Sequence, residues 1–547
     1  MFEGFLHTVR HRCASRELSQ LAPACLAPLP QTARKARGAI GSLKKRNPVL
    51  FTGCCSSRRH YKVSKPLTSP SPAPQSPSNP AAMTAPKPAI NFIRGWPAPE
   101  LLPAPLLSAA AQRILADPAV YVPALQYGPD PGYQPLREAL ARWLAGHYGL
   151  AADPERICIT GGASQNVACI LQSFTDPAVT RAVWMVAPTY HLACGIFDDA
   201  GFAGRLRAFP EDEEGIDLEV LEAKIRKLED EEVNEPQAQP FKDAGEHRKF
   251  YRHVIYVVPT CSNPSGKTMS VRRREGLVRL ARKYDALVIC DDVYDLLQWP
   301  LNNETSSGSL RSDESPEMTL PRLCDIDLAM DRDPKDPKGF GFAVSNGSFS
   351  KMAGPGVRTG WLEGSPAFSF GLAQTASSKS GGAPSQFCAA MMSDLVESGA
   401  LQDYLATTVR PGLQRRHRLL VDAIHEHLSP QGITIREAGL VGGSTYGGYF
   451  VWLKLPQGLS AKLIADVSLV EENLIVGNGN MFQVHGDEKT VDLDGAIRVT
   501  FAYVPEDDLV EGIRRLGAVV QRVKADPAKY EKLANTVSDA AMINSSK

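Results

Sequence analysis

"HVIYVVPTCSNPSGKTMSVRRREGLVRLARKYDALVICDDVY", His253 to Tyr294, decides the fold. It opens on an apolar run, His253 to Pro259, and closes on another, Ala286 to Cys290. Between them Ser270–Tyr284 has the pattern of a helix. Two continuous apolar strands joined by an amphipathic helix predict a buried parallel pair with a helical crossover. Polar residues gather where the strands end: Asn263 after the first, and Asp291, Asp292 and Tyr294 after the second. In open parallel sheets that is where ligands bind.

The alternation continues on both sides. "RICIT" (156–160) is a short strand ending at Gly161-Gly162, followed by a helical pattern in "QNVACILQSF" (165–174). "RAVWMVAPTY" (181–190) is a strand before the helical "HLACGIFDDAGF", and "GFAVSNGSFSK" (341–351) is another buried strand. The expected fold is α/β, a mainly parallel sheet with helices on both faces. Beyond about Gly382 long helices lead to half-buried strands, "GGYFVWLKLP" and "AIRVTFAYV", of a smaller α+β C-terminal domain. The resulting plan is an arm (1–87), an N-terminal segment (88–125), a large domain (126–382), a small domain (383–530) and a tail (531–547). Two polar stretches, 227–250 and 302–323, within the regions 225–250 and 301–340, read as surface insertions.

The 547 residues carry no net formal charge, but residues 1–87 hold fourteen Lys/Arg against two Asp/Glu. The remaining body is therefore acidic, which argues against nucleic acid as a partner. No apolar run is long enough for a bilayer helix. The eleven cysteines form no C-x-x-C pair. A reducing compartment follows, with no zinc or other metal site. The arm is Arg-rich and acid-poor at its start, as in a mitochondrial transit peptide, and then rich in Pro and Ser. Either the chain is mitochondrial, or it is cytoplasmic and translation starts at Met83.

"SNGSFSKMAGPGVRTGW" (345–361) supplies an amine, Lys351, framed by small hydroxyl residues and a Gly/Pro turn. A buried lysine readily loses its charge and becomes a nucleophile toward aldehydes. Ser348, Ser350 and Arg358 suit an anion such as phosphate. So do the backbone and hydroxyl of "GGAS", where a helix begins. Asn263 either starts a turn or donates to an anionic oxygen. Tyr190 is either a half-buried core residue or a stacking platform. Asp291 answers either a structural cation or a ligand's protonated ring nitrogen. Taken together, an amine, a phosphate cradle, a carboxylate and a stacking ring match pyridoxal 5'-phosphate.

At this point the chain resembles the fold-type I, class I/II aminotransferases. The resemblance runs from Ile90 to about Val523. It rests on S-x-S-K-x-x-x-P-G-x-R-x-G-W, N-P-x-G and D-D-x-Y. The opening "INFIRGWPAPELLP" is similar to fungal 2-aminoadipate and aromatic aminotransferase-like members. The resemblance implies that Lys351 binds the cofactor's aldehyde and moves the proton. It implies that Asp291 holds the ring nitrogen, Asn263 and Tyr294 the phenolate oxygen, and Tyr190 the ring face. Gly162, Ala163, Ser164, Ser348, Ser350 and Arg358 hold the phosphate. Tyr127 reaches the phosphate from a partner subunit, which implies a homodimer. Arg498 clamps the substrate α-carboxylate, and Gly95 lies in the segment closing over the substrate. Arg94 either pairs with a distal carboxylate or faces elsewhere. In "NGNMF", Asn478 stands where the family has proline, so no substrate contact is carried over for Gly479 or Phe482.

The expected activity is transfer of an amino group from an L-amino acid, of 2-aminoadipate or aromatic kind, to a 2-oxo acid such as 2-oxoglutarate. A fold-type I β-lyase or decarboxylase is the alternative, sharing the cofactor site and breaking a different bond. A PLP-sensing regulator needs a DNA-binding module, and the Pro-rich arm does not have that pattern.

Overall fold

In the computed structural model, described for residues 87–231, 239–301, 316–379 and 384–534, the apolar runs become a seven-stranded sheet. Its strands are β1 (Ile157–Thr160), β2 (Ala182–Ala187), β3 (Leu206–Pro210), β4 (His253–Val257), β5 (Ala286–Asp291), β6 (Ala343–Ser348) and β7 (Gly360–Glu363). The spatial order is β1-β7-β6-β5-β4-β2-β3. All neighbours are parallel except β7, which runs antiparallel to both β6 and β1. Every residue of β2, β4, β5 and β6 is buried, so helices cover both faces, as expected of an α/β sheet. The basic arm to residue 86, residues 232–238 and 302–315 of the two polar stretches, and the end of the tail lie outside the described residues. No helix among the described residues is long and apolar enough to cross a membrane.

Four helices place the chemistry. They are α1 (Ala163–Phe174), α2 (His191–Phe197), α3 (Val271–Lys283) and α4 (Leu323–Ala329). Helix α3 begins at Ser270, whose hydroxyl accepts from the Arg273 backbone N–H, a side-chain N-cap. Helix α4 corrects the sequence reading of 302–323 as a surface insertion at the end of that stretch only, since 302–315 lie outside the described residues. Arg322 and Leu323 are buried there, with Cys324 and Ile326 behind them. The Arg322 guanidinium pairs with Asp325 at 2.8 Å and Glu363 at 2.7 Å. Polar composition misled because this charge is matched inside the protein. In the other stretch the helix Leu218–Glu231 continues past Lys227, and Glu229 bonds Arg252 and the buried His253.

A second, three-stranded antiparallel sheet is built from β8 (Phe450–Lys454), β9 (Gly477–Asn478) and β10 (Ala496–Thr500). A long helix, α5 (Glu506–Ala525), lies against the helices Arg410–His427 and Ala461–Glu472 of the same region. The N-terminal segment joins this part: Ile90–Asn91 pairs in parallel with Leu474–Ile475, and the Phe92 carbonyl accepts from Thr500 N–H. Phe92 is fully buried, and a Cβ on Gly512 of α5 would come within 2.5 Å of its ring. That glycine lets helix and ring touch, which anchors the segment just before Arg94 and Gly95.

Phe92→Ala should therefore cost about 3–5 kcal/mol of folding stability, the usual range for emptying a buried aromatic site. The melting temperature and the denaturation midpoint should both fall clearly.

Candidate active site

Strand parity assigns the two aspartates to opposite faces. Asp291 is in register with Asn346 on β6 and Asp292 follows it. Side chains alternate along a strand, so Asp291 faces the α1 side while Asp292 turns away and accepts from the Ser345 hydroxyl at 2.6 Å. On the α1 side a cavity of about 250 Å³ opens beyond the strand ends. It is lined by Gly95, Ala163, Ser164, Tyr190, Asn263, Asp291, Tyr294, Ser348, Ser350, Lys351, Arg358 and Arg498. Twelve of the residues singled out in the sequence thus meet at one place. Gly162 borders them through Arg358. Tyr127 does not join them; it is 83 % exposed.

Lys351 ends a short 3-10 turn, Phe349–Lys351, that leaves β6. The Ser348 hydroxyl caps the turn, accepting from Ser350 N–H at 3.1 Å. The lysine Nζ donates to the Gly95 carbonyl at 2.7 Å. Burial pushes the amine down to about 8, against the pull of the Asp291 carboxylate, with Arg498 adding to the lowering. Asp291 is raised to about 6 by burial, opposed by the Tyr256 hydroxyl, which donates to it at 2.7 Å, and by Lys351.

At the other end, β1, β6 and β7 converge on glycines. A Cβ on Gly360 would lie 2.6 Å from the Gly347 carbonyl, so this approach needs glycine. Gly162 has φ +100, and a Cβ there would sit 2.8 Å from Arg358 Nη2. Arg358 itself adopts φ 42 and donates to the Gly161 carbonyl at 2.6 Å. The Ser348 and Ser350 hydroxyls lie 2.9 Å apart beside it. The first N–H groups of α1 have no intrahelical partner, and together with these donors they make an anion cradle.

Arg498 on β10 is buried and donates to Asn263 Oδ1 at 2.8 Å and to the Ile93 carbonyl. Its Nε has no partner. Burial lowers it to about 10, so it stays a cation at neutral pH. Phe450 and Phe482 sandwich the guanidinium, at 4.0 and 4.6 Å. Phe482 is a residue the sequence reading left out: its loop does close on the site, and the Thr189 N–H donates to its carbonyl at 2.9 Å. The G-x-x-F spacing was the available signal. Tyr256, Asn346, His191 and Tyr449 were also missed. Tyr449 donates to the Lys351 carbonyl at 2.9 Å. Arg94 lies beside the cavity, with its guanidinium 4.8 Å from the Trp96 ring and 3.5 Å from the Tyr503 hydroxyl.

The model of the family "Aminotransferase class I and II" matches residues 109–516. The chain belongs to that family. It is 32% identical over 449 residues to an uncharacterized protein of Saccharomyces cerevisiae, covering 79% of this chain and 96% of the relative. It is 27% identical over 439 residues to the 2-aminoadipate transaminase of Thermus thermophilus, covering 80% and 91%. The crystal structure of Pyrococcus horikoshii kynurenine aminotransferase in complex with PMP superposes with a TM-score of 0.61 at 27% identity, covering 79% and 91%. The protein is a pyridoxal phosphate-dependent aminotransferase, acting on amino acids and 2-oxo acids.

The residue set fits that cofactor. There is a donor-rich cradle that a Cβ at Gly162 would fill, a carboxylate for a pyridinium and an amine for an aldehyde. Only the uncharged amine adds to an aldehyde. Below its pKa the uncharged fraction of Lys351 rises about tenfold per pH unit. Cofactor capture by stripped enzyme should therefore speed up from pH 6 to about 8 and level off above it, followed by stopped-flow absorbance. A lysine with an unshifted pKa would keep rising to about pH 10.

Proposed function

We propose that this aminotransferase moves the amino group of an L-amino acid, of 2-aminoadipate or aromatic kind, to a 2-oxo acid such as 2-oxoglutarate. The observation that carries it is the meeting of Lys351, Asp291 and Arg498 in one cavity. The bound cofactor supplies an aldehyde that accepts the amino group and a pyridinium that draws electrons from the substrate α-carbon. Lys351 holds the cofactor at rest. Its free amine would be the general base that takes the substrate's α-proton and gives it back. Asp291 keeps the ring nitrogen protonated. Asn263 and Tyr294 bond the phenolate oxygen, and Tyr190 lies against the ring. Gly162, Ala163, Ser164, Ser348, Ser350 and Arg358 hold the phosphate. Arg498 takes the α-carboxylate in a bidentate pair, and Gly95, where a Cβ would lie 2.5 Å from the Phe450 ring, lets the segment that closes over the substrate pack against that ring.

In this reading residues 126–382 hold the cofactor, 383–530 form the domain that clamps substrate, and 88–125 close over it. A homodimer completes the site. Tyr127, Leu125 and Val122 form an exposed apolar group of the kind that a second subunit covers, and Tyr127 reaches the partner's phosphate. Family membership and Arg498, which retains the carboxylate, favour transamination over β-lyase or decarboxylase chemistry.

Lys351→Ala should abolish the visible cofactor band and turnover. Arg498→Ala should lower kcat/KM for every amino acid alike, because a lost buried charge pair costs about 2–5 kcal/mol. Near-normal turnover in Lys351→Ala would remove the assignment. The substrate kind is tested at Arg94, whose guanidinium lies over the Trp96 ring next to Gly95 of the cavity wall. Arg94→Ala should lower kcat/KM for 2-aminoadipate more than about tenfold beyond its effect on phenylalanine. Equal losses would take Arg94 out of the specificity pocket.

A further inference from the structure

Asp291 is held by two side chains to which no role has yet been given. Tyr256 on β4 donates to Oδ2 at 2.7 Å. Asn346 on β6, its register neighbour, donates to Oδ1 at 3.3 Å. The same Asn346 Nδ2 also donates to the backbone carbonyl of Ala163 at 3.2 Å. Its Oδ1 accepts from Asn166 Nδ2, on α1, at 2.8 Å. Tyr256, Asn166 and Asn346 are all essentially without solvent exposure.

The chain of bonds has a fixed direction. A backbone carbonyl can only accept, so the amide of Asn346 must turn its NH₂ toward Ala163. That NH₂ then also faces Asp291, and the amide oxygen faces Asn166, which must donate. A turned-over Asn346 would set oxygen against the Ala163 carbonyl and against the carboxylate. The partner of Asp291 is thus a donor in a position dictated by the start of α1. A carboxyl that receives hydrogen bonds is favoured in its charged form.

We infer that Asn346, oriented by the Ala163 carbonyl and by Asn166, is a positioning residue that keeps Asp291 ionised and aimed before the cofactor arrives. The relay also ties the pyridine end of the site to the helix whose N-terminus forms the phosphate end. It answers a conflict within the site. Burial alone favours the protonated carboxyl, whereas a pyridinium needs the carboxylate. The ionisable groups facing Asp291 are the Tyr256 phenol from β4 and the Lys351 amine after β6, with the phenols of Tyr190 and Tyr294 close by. The three phenols are all raised above their usual range and stay neutral below pH 8, so they do not titrate in the window that matters.

The inference rests on the cofactor assignment above, and its test separates the two. Enzyme stripped of cofactor is titrated with pyridoxal phosphate from pH 5.5 to 8, and the dissociation constant is read from the visible band. In the native protein protonation of the Lys351 amine weakens binding steadily below about pH 8, in the variants as in the native chain. A further, steeper fall should set in as pH drops through about 6, where Asp291 takes up a proton and can no longer face a pyridinium. In Asn346→Leu the carboxyl keeps its proton to higher pH. That steeper step should start about one pH unit higher, the size of effect expected from one lost hydrogen bond to a charged group. Asn166→Ala touches Asn346 and not Asp291. It should shift the profile the same way by less, and it decides the matter if Asn346→Leu does not fold. Melting of the stripped proteins confirms that each variant compared is folded. Folded variants whose profile keeps the native midpoint overturn the inference, even if affinity is lower at every pH. A native protein that binds no pyridoxal phosphate would remove the cofactor assignment itself.

Discussion

A carboxylate buried at the end of an apolar strand is the constraint on which this structure depends. Asp291 leaves water at the carboxyl end of β5, and an isolated charge there costs several kcal/mol unless it is met. Tyr256 and Asn346 meet part of that cost with hydrogen bonds, and Lys351 meets part with its field. The remaining direction is open to the cavity. A ligand that carries its own cation there completes the balance, which makes the vacant side of Asp291 selective for a protonated ring. The sheet supplies the precision: parallel register sets Asp291 beside Asn346, and both stand on strands buried on both faces.

The same logic governs the other charges. Arg498 is buried on a strand of the second sheet, with one nitrogen unpartnered and aromatic rings on two sides. Its bond to Asn263 and to the Ile93 carbonyl links three parts of the chain at one guanidinium: the loop after β4, the N-terminal segment and β10. Lys351 in turn holds the Gly95 carbonyl. The segment before Trp96 is therefore fastened by both cations of the site. Any change in the partners of Arg498 or Lys351 acts directly on that segment.

Much of this was legible in the sequence because it is local. Continuous apolar runs gave the strands, their ends gave Asn263, Asp291 and Tyr294, and the frame around Lys351 marked it as no surface lysine. Period-two alternation also separates Asp291 from Asp292. Other features were hidden because they depend on contacts between distant segments. Tyr256 sits inside "HVIYVVP" as one more apolar strand residue, and Asn346 sits in "AVSNGS" with nothing local to distinguish it. Their roles appear only when β4, β5 and β6 stand side by side. Arg322 looked like part of a solvated polar stretch because its partners Asp325 and Glu363 are brought to it by folding. Phe482 was set aside on an imperfect loop pattern, although its packing against Arg498 depends on ring placement and not on the missing proline. Tyr127, carried over from the resemblance, stays outside the cavity on an exposed face.

The central claim is that a single amine, placed opposite Asp291 by the turn after β6, carries the cofactor. Borohydride reduction of the native enzyme fixes the cofactor to whichever lysine holds it, and peptide mapping by mass spectrometry then reads the position. The account predicts one phosphopyridoxyl group per chain, on Lys351. A label on another lysine, such as Lys267 beyond Asn263, or no label at all, would contradict it.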